Sequence, residues 1–145
     1  YLEFWLRYAS VLEGTAGTES ACALLAEACQ CGRLRLRPDA LVAWAELEEQ
    51  CGRIDHARQL LDDALATSRE SVELQLRCVA LERRAGDLPR CEALLRGFIN
   101  EAPQLVARGF LARYYARFVE DVLQKPRQAC EVLLGVWQDG CHDVG

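Results

Sequence analysis

Apolar residues recur along this chain at the spacing of one face of an α-helix. Near the N-terminus, Trp5, Tyr8 and Leu12 fall at i, i+3 and i+7, which places their side chains on the same side of a helix. The pattern restarts several times and is interrupted at Gly14 and Gly17, which should end a helix, and at Pro38 and Pro126, which should open one. Thr18 and Asp87 are placed to cap the helices that follow them. The chain is therefore predicted to be a series of short amphipathic helices.

One stretch of this pattern is repeated. Residues 47–65, LEEQCGRIDHARQLLDDAL, return 34 positions later at residues 81–99 as LERRAGDLPRCEALLRGFI. Weaker copies lie 35 positions before the first of these two stretches and 38 positions after the second. Self-similarity at this period is typical of stacked helical hairpins, each too small to bury its apolar face alone.

The predicted fold class is therefore all-α, a right-handed α-solenoid of about four TPR-like helical hairpins. We predict a single segment over residues 1–145, with hairpins at about 3–31, 38–67, 70–102 and 104–139. The chain starts on Tyr1 and contains no methionine, which we interpret as a segment of a longer protein.

A few positions define the repeat. Gly52 and Gly86 are expected to form the corner between two helices with a positive φ, which glycine adopts without strain. Gln124 replaces the glycine at the fourth corner. The repeat-defining residues are Trp5, Tyr8, Glu13, Trp44, Glu48, Gly52, Glu82, Gly86 and Glu120.

The repeated glutamates are the carboxylates to test for catalysis. An acid–base pair needs a separation of about 5 to 9.5 Å, whereas equivalent positions in successive hairpins are two helix layers of about 8–10 Å apart. We predict that the glutamates hydrogen-bond within or between hairpins instead. His56 is expected on the polar face of its helix and His142 in the tail, so neither should have the neighbours of a general base.

Composition and motifs give no sign of an enzyme or a metalloprotein. No phosphate-binding glycine loop or nucleophile elbow occurs, and none of the eight cysteines lies in a zinc-binding spacing. We predict no catalytic, cofactor-binding or metal-binding residue. The cysteines are interpreted as buried thiols of a reducing compartment, and no segment is long and apolar enough to suggest a membrane span.

The charge argues against a chain-wide nucleic-acid surface. The net charge is −5, whereas nucleic-acid binding usually needs a basic face. One local exception is the arginine connector of Arg33, Arg35 and Arg37, which we interpret as solvated and capping a helix C-terminus. Contact of this connector with RNA is the less favoured alternative.

The fourth predicted hairpin is the richest in aromatic residues. Its first helix carries two apolar stripes, and in a solenoid such a helix is covered on two sides even without a partner. Since aromatic residues also dominate interface hot spots, they are the candidates for a dimer or partner interface. The tail from Trp137 onward is interpreted as the end of order. The candidate interface residues are Phe110, Tyr114, Tyr115, Phe118 and Trp137.

These features resemble a known family. Trp5-x-x-Tyr8 followed by Glu13, the repeat length and the glycine between helices are similar to the half-a-TPR (HAT) repeats of RNA-processing scaffolds. The order of FWLRYASVLEGT, LEEQCGRIDHARQLL, LERRAGDLPRCEALL and LARYYARFVEDVLQKPRQACEVL most resembles the C-terminal HAT region of the pre-mRNA-processing factor 39 family.

The resemblance implies a nuclear, non-enzymatic scaffold for pre-mRNA splicing, associated with the U1 small nuclear ribonucleoprotein that recognises the 5′ splice site. It also implies dimerisation through the HAT repeats, as a homodimer or with a paralogous HAT protein. Other splicing-particle proteins are the further expected partners. RNA contact is expected to be indirect or weak, and no membrane partner is expected.

Three alternatives belong to other functions. A HAT scaffold of mRNA 3′-end cleavage and polyadenylation would also dimerise. A helical-repeat RNA reader would need a basic concave face and polar code residues, which are not visible. A tetratricopeptide co-chaperone would need Lys and Arg on the first helix of each hairpin, where this chain has Glu46, Glu48, Glu49 and Glu82.

Overall fold

The regular structure of the chain is helical. The computed structural model describes residues 2–30, 34 and 37–142, with side chains up to residue 138. Within these residues there are eight α-helices and no strand, so the predicted all-α class is confirmed. The helices are α1 (Leu2–Ala16), α2 (Thr18–Gln30), α3 (Pro38–Gln50), α4 (Ile54–Thr67), α5 (Val72–Ala85), α6 (Leu88–Glu101), α7 (Leu105–Asp121) and α8 (Pro126–His142).

The helices belong to two compact units, Tyr1–Leu81 and Glu82–Gly145. In the first unit, α1 packs against α2, α2 against α3, and α3 against α4. In the second unit, α6 packs against α7 and α7 against α8. From α1 to α4 in the first unit and from α6 to α8 in the second, consecutive helices are therefore neighbours in space, as the short connections between them favour.

Most helix ends follow the expected sequence signals. Pro38 lies in the first turn of α3, and Pro126 begins α8. Asp87 caps α6, because its side chain accepts a hydrogen bond of 3.1 Å from the backbone N–H of Arg90. Such caps satisfy one of the backbone donors that a helix N-terminus leaves unpaired.

Two expected helix ends are wrong. Gly14 was expected to interrupt α1, but the helix continues through it to Ala16, and Thr18 is the first residue of α2 rather than its cap. The predicted end of order at Trp137 is also wrong, since α8 continues to His142. The physical reason is the same in both cases: one interior glycine costs a helix only about 1 kcal/mol.

The corner after the first helix of each pair has a left-handed backbone. The φ angles are 92° at Gly17, 78° at Gly52, 82° at Gly86 and 55° at Gln124. The expected positive φ at Gly52 and Gly86 is therefore confirmed. Gln124 adopts the same conformation although its Cβ makes it unfavourable for any residue but glycine.

The same hydrogen bond closes the corners at Gly52 and Gly86. The N–H of Arg53 donates to the carbonyl of Glu48 at 2.9 Å, and the N–H of Asp87 donates to the carbonyl of Glu82 at 3.0 Å. In a Schellman-type helix end, a hydrogen bond of this span satisfies one of the last carbonyls of the helix. Each of these two corners is thus a helix C-terminus closed by its own backbone.

The core of each unit consists of aliphatic, aromatic and cysteine side chains from the inner helix faces. Full burial of one Leu or Phe side chain contributes about 1.5–3 kcal/mol. In the first unit, the largest side chains under 2% exposed are Leu25, Leu34, Leu81 and Val79. In the second unit they are Tyr115, Leu95, Leu111, Val119 and Cys91.

Most described cysteines behave as small core residues, as predicted. Burial raises the pKa of Cys22 to about 12 and also raises the pKa of Cys29, so both are held as unreactive thiols. Cys130 is exposed, and the side chains of Cys31 and Cys141 lie outside the described residues. The other buried thiols are Cys78 and Cys91, and Cys51 is half-buried.

Among the helices that the structure describes, none combines the length and the apolar character that crossing a bilayer demands. Likewise, within residues 2–30, 34 and 37–138, no three His, Cys, Asp or Glu side chains come together in a way that could hold a metal ion. Arg33 and Arg35 of the arginine connector lie outside the described residues. Arg37 is exposed and directly precedes α3.

Candidate functional site

Glu48 lies at the centre of a buried polar cluster in the first unit. It is 4% exposed. The indole Nε1 of Trp44 donates to Oε1 at 2.8 Å, while Oε2 accepts from Nε of Arg53 and lies 3.3 Å from Nδ1 of His56. The predicted hydrogen-bonding role of this glutamate is therefore confirmed.

The cluster keeps Glu48 ionised. Burial alone would raise the pKa of the carboxyl group, but hydrogen bonds from Arg53, Trp44 and His56 outweigh it and lower the pKa to about 2. A buried carboxylate is tolerated when its oxygens are hydrogen-bonded and a cation lies beside it. This carboxylate is committed to donors of its own chain and is not presented to solvent as an acid or base.

The expectation for His56 holds in part. Its side chain is 41% exposed, as expected for the polar face of the helix, but it also has a carboxylate neighbour in Glu48, and its ring packs edge-on against Trp44, with 5.1 Å between centroids and an interplanar angle of 89°. His56 follows the helix start by only two residues, so its side chain can fold back over the preceding corner onto Glu48. No motif in the sequence predicts this contact, although Trp44, Glu48 and His56 are spaced by four and eight residues.

The other repeated glutamates differ in burial. Glu82 is 2% exposed and forms an ion pair of 3.0 Å with Nε of Arg90, a residue that aligns with His56 at the 34-residue shift. Glu13 is half-buried, whereas Glu120 is exposed. Glu48 and Glu82 are therefore buried carboxylates with a cation beside them, whereas the hydrogen bonding predicted for Glu13 and Glu120 stays a prediction.

The aromatic pair of the first repeat lies partly on the surface. Trp5 is half-buried, and Tyr8 is 44% exposed. Phe4 contacts both of them, with ring centroids 5.9 Å from Trp5 and 6.2 Å from Tyr8. Only part of this aromatic group belongs to the core of α1.

Tyr115 is a core residue, which corrects its prediction as an interface residue. It is 1% exposed, and its hydroxyl donates to Oε1 of Glu92 at 2.9 Å. The same hydroxyl accepts from Nε of Arg96 at 2.9 Å and from Nε2 of Gln128 at 3.0 Å. The network joins α6, α7 and α8, and only a tyrosine hydroxyl with both donor and acceptor capacity can complete it.

The network also shifts the ionisation of its members. The hydrogen bond from Tyr115 lowers the pKa of Glu92, and burial raises the pKa of Tyr115. Charged Arg96 lies over the Tyr115 ring, with Cζ 5.7 Å from the centroid. The arrangement is structural, because each polar group is engaged by a neighbour of the same unit.

The prediction of Phe118 as an interface residue is also wrong. It is 3% exposed and cannot offer area to a partner, because its face of α7 is the one that packs inside the unit. Tyr114 is half-buried. Of the five predicted interface residues, Phe110 and Trp137 are clearly exposed, at 47% and 67%.

Phe110 and Trp137 lie in one groove, which we call the α7–α8 groove. It has a cavity volume of about 510 Å³, and among the described residues that line it Arg113 is the one with a charged side chain. Nine large apolar side chains are at least 40% exposed in the described residues, and six of them lie on α7 and α8. The groove is lined by Leu105, Val106, Gly109, Phe110, Ala112, Arg113, Leu133, Val136 and Trp137.

An exposed apolar surface of this kind is unusual outside docking sites. Two aromatic side chains provide large rigid area, and small residues between them allow a partner to approach the backbone closely. The groove therefore has the chemistry of a protein-docking surface. The sequence pointed to it through the density of aromatics, but did not reveal which of the two apolar stripes of α7 would remain exposed.

Comparison with known proteins places the chain in a family. Residues 1–84 match the family described as PRP39 C-terminal HAT repeat. The chain is 32% identical over 134 residues to pre-mRNA-processing factor 39 of Homo sapiens and 31% identical over 133 residues to that of Xenopus laevis. Both matches cover 92% of this chain, and the chain spans about a fifth (20%) of the length of these curated relatives.

Solved structures support the helical-repeat architecture. A putative kinesin light chain of Podosopora anserina with nearly identical TPR-like repeats superposes with a TM-score of 0.63 at 15% identity, covering 94% of this chain and 74% of that chain. At this identity the likeness concerns the fold alone, and it confirms the predicted TPR-like repeat class. The family follows from the match over residues 1–84 and from the sequence identities: the chain belongs to the PRP39 C-terminal HAT repeat family.

Proposed function

We propose that this chain is a docking segment of a non-enzymatic, nuclear scaffold for pre-mRNA splicing, and that it dimerises through the α7–α8 groove. The observation that carries the proposal is the exposed apolar groove in a member of this family. Relatives over most of the chain are named pre-mRNA-processing factor 39. A repeat fold of this type serves to present surfaces to other proteins.

The dimer is proposed from the chemistry of the groove. Phe110 and Trp137 are aromatic anchors on different helices, and an identical surface on a second copy could bury both of them across a two-fold axis. Most soluble oligomers use such self-complementary contacts. The partner is therefore a second copy of this chain or a paralogous HAT protein with an equivalent groove.

The cellular assignment is splicing rather than 3′-end cleavage and polyadenylation. The curated relatives support it by their name, and the finer assignment is to the U1 particle that recognises the 5′ splice site. Tyr1–Leu81 contains 8 arginines and 13 Asp and Glu residues, an excess of acid that disfavours direct binding to phosphates. RNA contact is accordingly proposed to be indirect or weak.

Light scattering and sedimentation at micromolar concentration test the dimer. Wild-type chain is expected to dimerise, and Trp137→Ala or Phe110→Ala should weaken the dimer by about 30-fold, the effect of removing one hot-spot side chain. Phe4→Ala is the matched control, because Phe4 is an exposed aromatic residue on α1 (64%) outside the groove. A wild-type monomer, or equal weakening by the control, would contradict the proposed surface.

A second experiment addresses the particle. The full-length protein carrying this segment is immunoprecipitated from nuclear extract, with wild type and Trp137→Ala compared. Enrichment of U1 small nuclear RNA and its proteins is expected. The co-precipitated RNA should be lost after protease treatment but retained after washing with moderate salt. Enrichment of the cleavage and polyadenylation machinery instead would overturn the splicing assignment.

A further inference from the structure

The first unit contains a separate concave site that the dimer proposal does not use. A cleft of about 450 Å³ lies between α2, α3 and α4; we call it the Trp44 cleft. Its base is formed by the buried side chains of Leu41, Trp44 and Leu60. Polar side chains surround this apolar base. They are Gln30, His56, Gln59 and Asp63.

The buried Glu48 fixes two of the groups that face the cleft. It accepts the indole N–H of Trp44 at 2.8 Å and lies 3.3 Å from Nδ1 of His56. In a neutral imidazole one ring nitrogen donates and the other accepts, so in that form a Nδ1–H directed at Glu48 makes Nε2 the acceptor. The His56 side chain is 41% exposed, so this acceptor is accessible.

The remaining polar groups of the cleft are also acceptors. Asp63 supplies a carboxylate, and the amides of Gln30 and Gln59 supply carbonyl oxygens. Gln30 is in addition the last residue of α2, and the negative end of a helix dipole attracts a cation. Among the described residues that line the cleft there is no lysine or arginine.

The charge of the first unit favours the same kind of ligand. Residues 1–81 contain 8 arginines against 13 Asp and Glu, so their net charge is −5, equal to that of the whole chain. A positively charged group is therefore attracted before it reaches the cleft. An acidic peptide or a nucleic-acid phosphate would be repelled.

We propose that the Trp44 cleft binds an arginine side chain of a protein partner. A guanidinium is planar and has five N–H donors, which suits a site of several acceptors around an apolar base. The aliphatic part of the side chain would cover Leu41 and Leu60 while the guanidinium reaches Asp63 and Nε2 of His56. A lysine ammonium has fewer donors, is more strongly hydrated and cannot stack.

Peptide titration of the 145-residue chain tests the proposal. The probes are three capped Gly-Ser peptides that differ in one central residue: arginine, lysine or citrulline, which keeps the shape of arginine without its charge. With a ¹⁵N-labelled chain, the arginine peptide is expected to shift the indole N–H resonance of Trp44 and to leave those of Trp5 and Trp137 unchanged. The lysine and citrulline peptides should bind several-fold more weakly.

Two variants separate the cleft from general electrostatics. Asp63→Asn should weaken the arginine peptide about fivefold, the upper end for a partly exposed ion pair. Asp62→Asn removes the same charge from the neighbouring exposed position, which does not line the cleft, and should have a smaller effect. No shift at Trp44, equal losses in both variants, or equal binding of the lysine peptide would overturn the proposal.

The result is independent of the proposed dimer. The cleft lies within residues 29–63 and the α7–α8 groove within residues 105–137, so Trp137→Ala should leave peptide binding intact. Asp63→Asn should in turn leave the oligomeric state intact. Failure of one proposal is thereby distinguished from failure of the other.

Discussion

Arg53 connects two consecutive hairpins: its Nη1 lies 2.8 Å from Oε1 of Glu19, a residue 34 positions earlier in the chain. The same guanidinium donates from Nε to the buried carboxylate of Glu48. One side chain at the corner between α3 and α4 therefore holds an exposed acid of α2 and a buried acid of α3. The interval between Arg53 and Glu19 equals the repeat period, so this contact joins one repeat to the next.

The contacts of Arg53 with Glu48 and with Glu19 are expected to contribute differently to the stability of the fold. Arg53→Gln should clearly lower the free energy of unfolding, because the buried Glu48 loses its cation. Glu19→Gln should lower it much less, because the Glu19 carboxylate is largely solvated. Urea unfolding of both variants at neutral pH measures the difference, and equal losses would contradict it.

Acid should destabilise the first unit through Glu48. The pKa of this carboxyl is about 2 in the fold, below its ordinary value of 4.5, so its stabilisation is complete above pH 4.5. The stabilisation is lost as the pH falls from there toward 2. Wild type should therefore lose up to about 3 kcal/mol more than Glu48→Gln between pH 6 and pH 2, measured by urea unfolding at each pH.

The matched control for this pH experiment is Glu120→Gln. Glu120 occupies the equivalent repeat position, shifted by 38 residues from Glu82, but it is exposed. Its replacement should leave the acid-induced loss of stability close to that of wild type. A pH dependence that survives in Glu48→Gln would show that other groups dominate.

Two glycine substitutions should have opposite signs. Gly52→Ala places a Cβ on a residue with a φ of 78° and should destabilise the chain by about 1 kcal/mol. Gly97→Ala lies inside α6, where an added Cβ meets nothing within 4 Å, and should stabilise the chain by about 0.5–1 kcal/mol. Thermal unfolding of the two variants gives the comparison, and a gain of stability for Gly52→Ala would be the contradicting result.

Alanine substitutions at Phe118 and Phe110 should change the free energy of unfolding by different amounts. Phe118 is 3% exposed, so Phe118→Ala should cost about 3–5 kcal/mol of unfolding free energy. Phe110 is 47% exposed, so Phe110→Ala should cost less than about 1 kcal/mol while weakening self-association. Unfolding of the monomer at low concentration, combined with sedimentation, distinguishes the two effects.

The repeat and its corners could be predicted from sequence because they depend on local signals. Pro38 and Asp87 each act within one helical turn, and a glycine corner needs only a backbone that can reach positive φ. These signals placed the start of α3, α6 and α8 and the left-handed conformation of Gly52 and Gly86. Each depends on a few neighbouring residues and not on tertiary packing.

The rotation of each helix in its unit could not be predicted in the same way. α7 carries apolar residues on two stripes, and hydrophobic periodicity does not distinguish the stripe that packs from the one that remains exposed. Tyr115 and Phe118 therefore turned out to be core residues, whereas Phe110 lies on the surface. His56 was missed for a related reason, since folding back onto Trp44 depends on a contact between two helices.

Gln124 forms a left-handed corner without being a glycine. Its left-handed φ of 55° occurs where the other repeats use glycine, so the bend cannot be ascribed to a permissive residue at that point. The packing of α7 against α8 must compensate for the unfavourable backbone at Gln124. The chain therefore reverses direction because the two helices pack together, and the corner residue does not cause the reversal. In such an architecture the joints could diverge in sequence while the shape of the repeat persists.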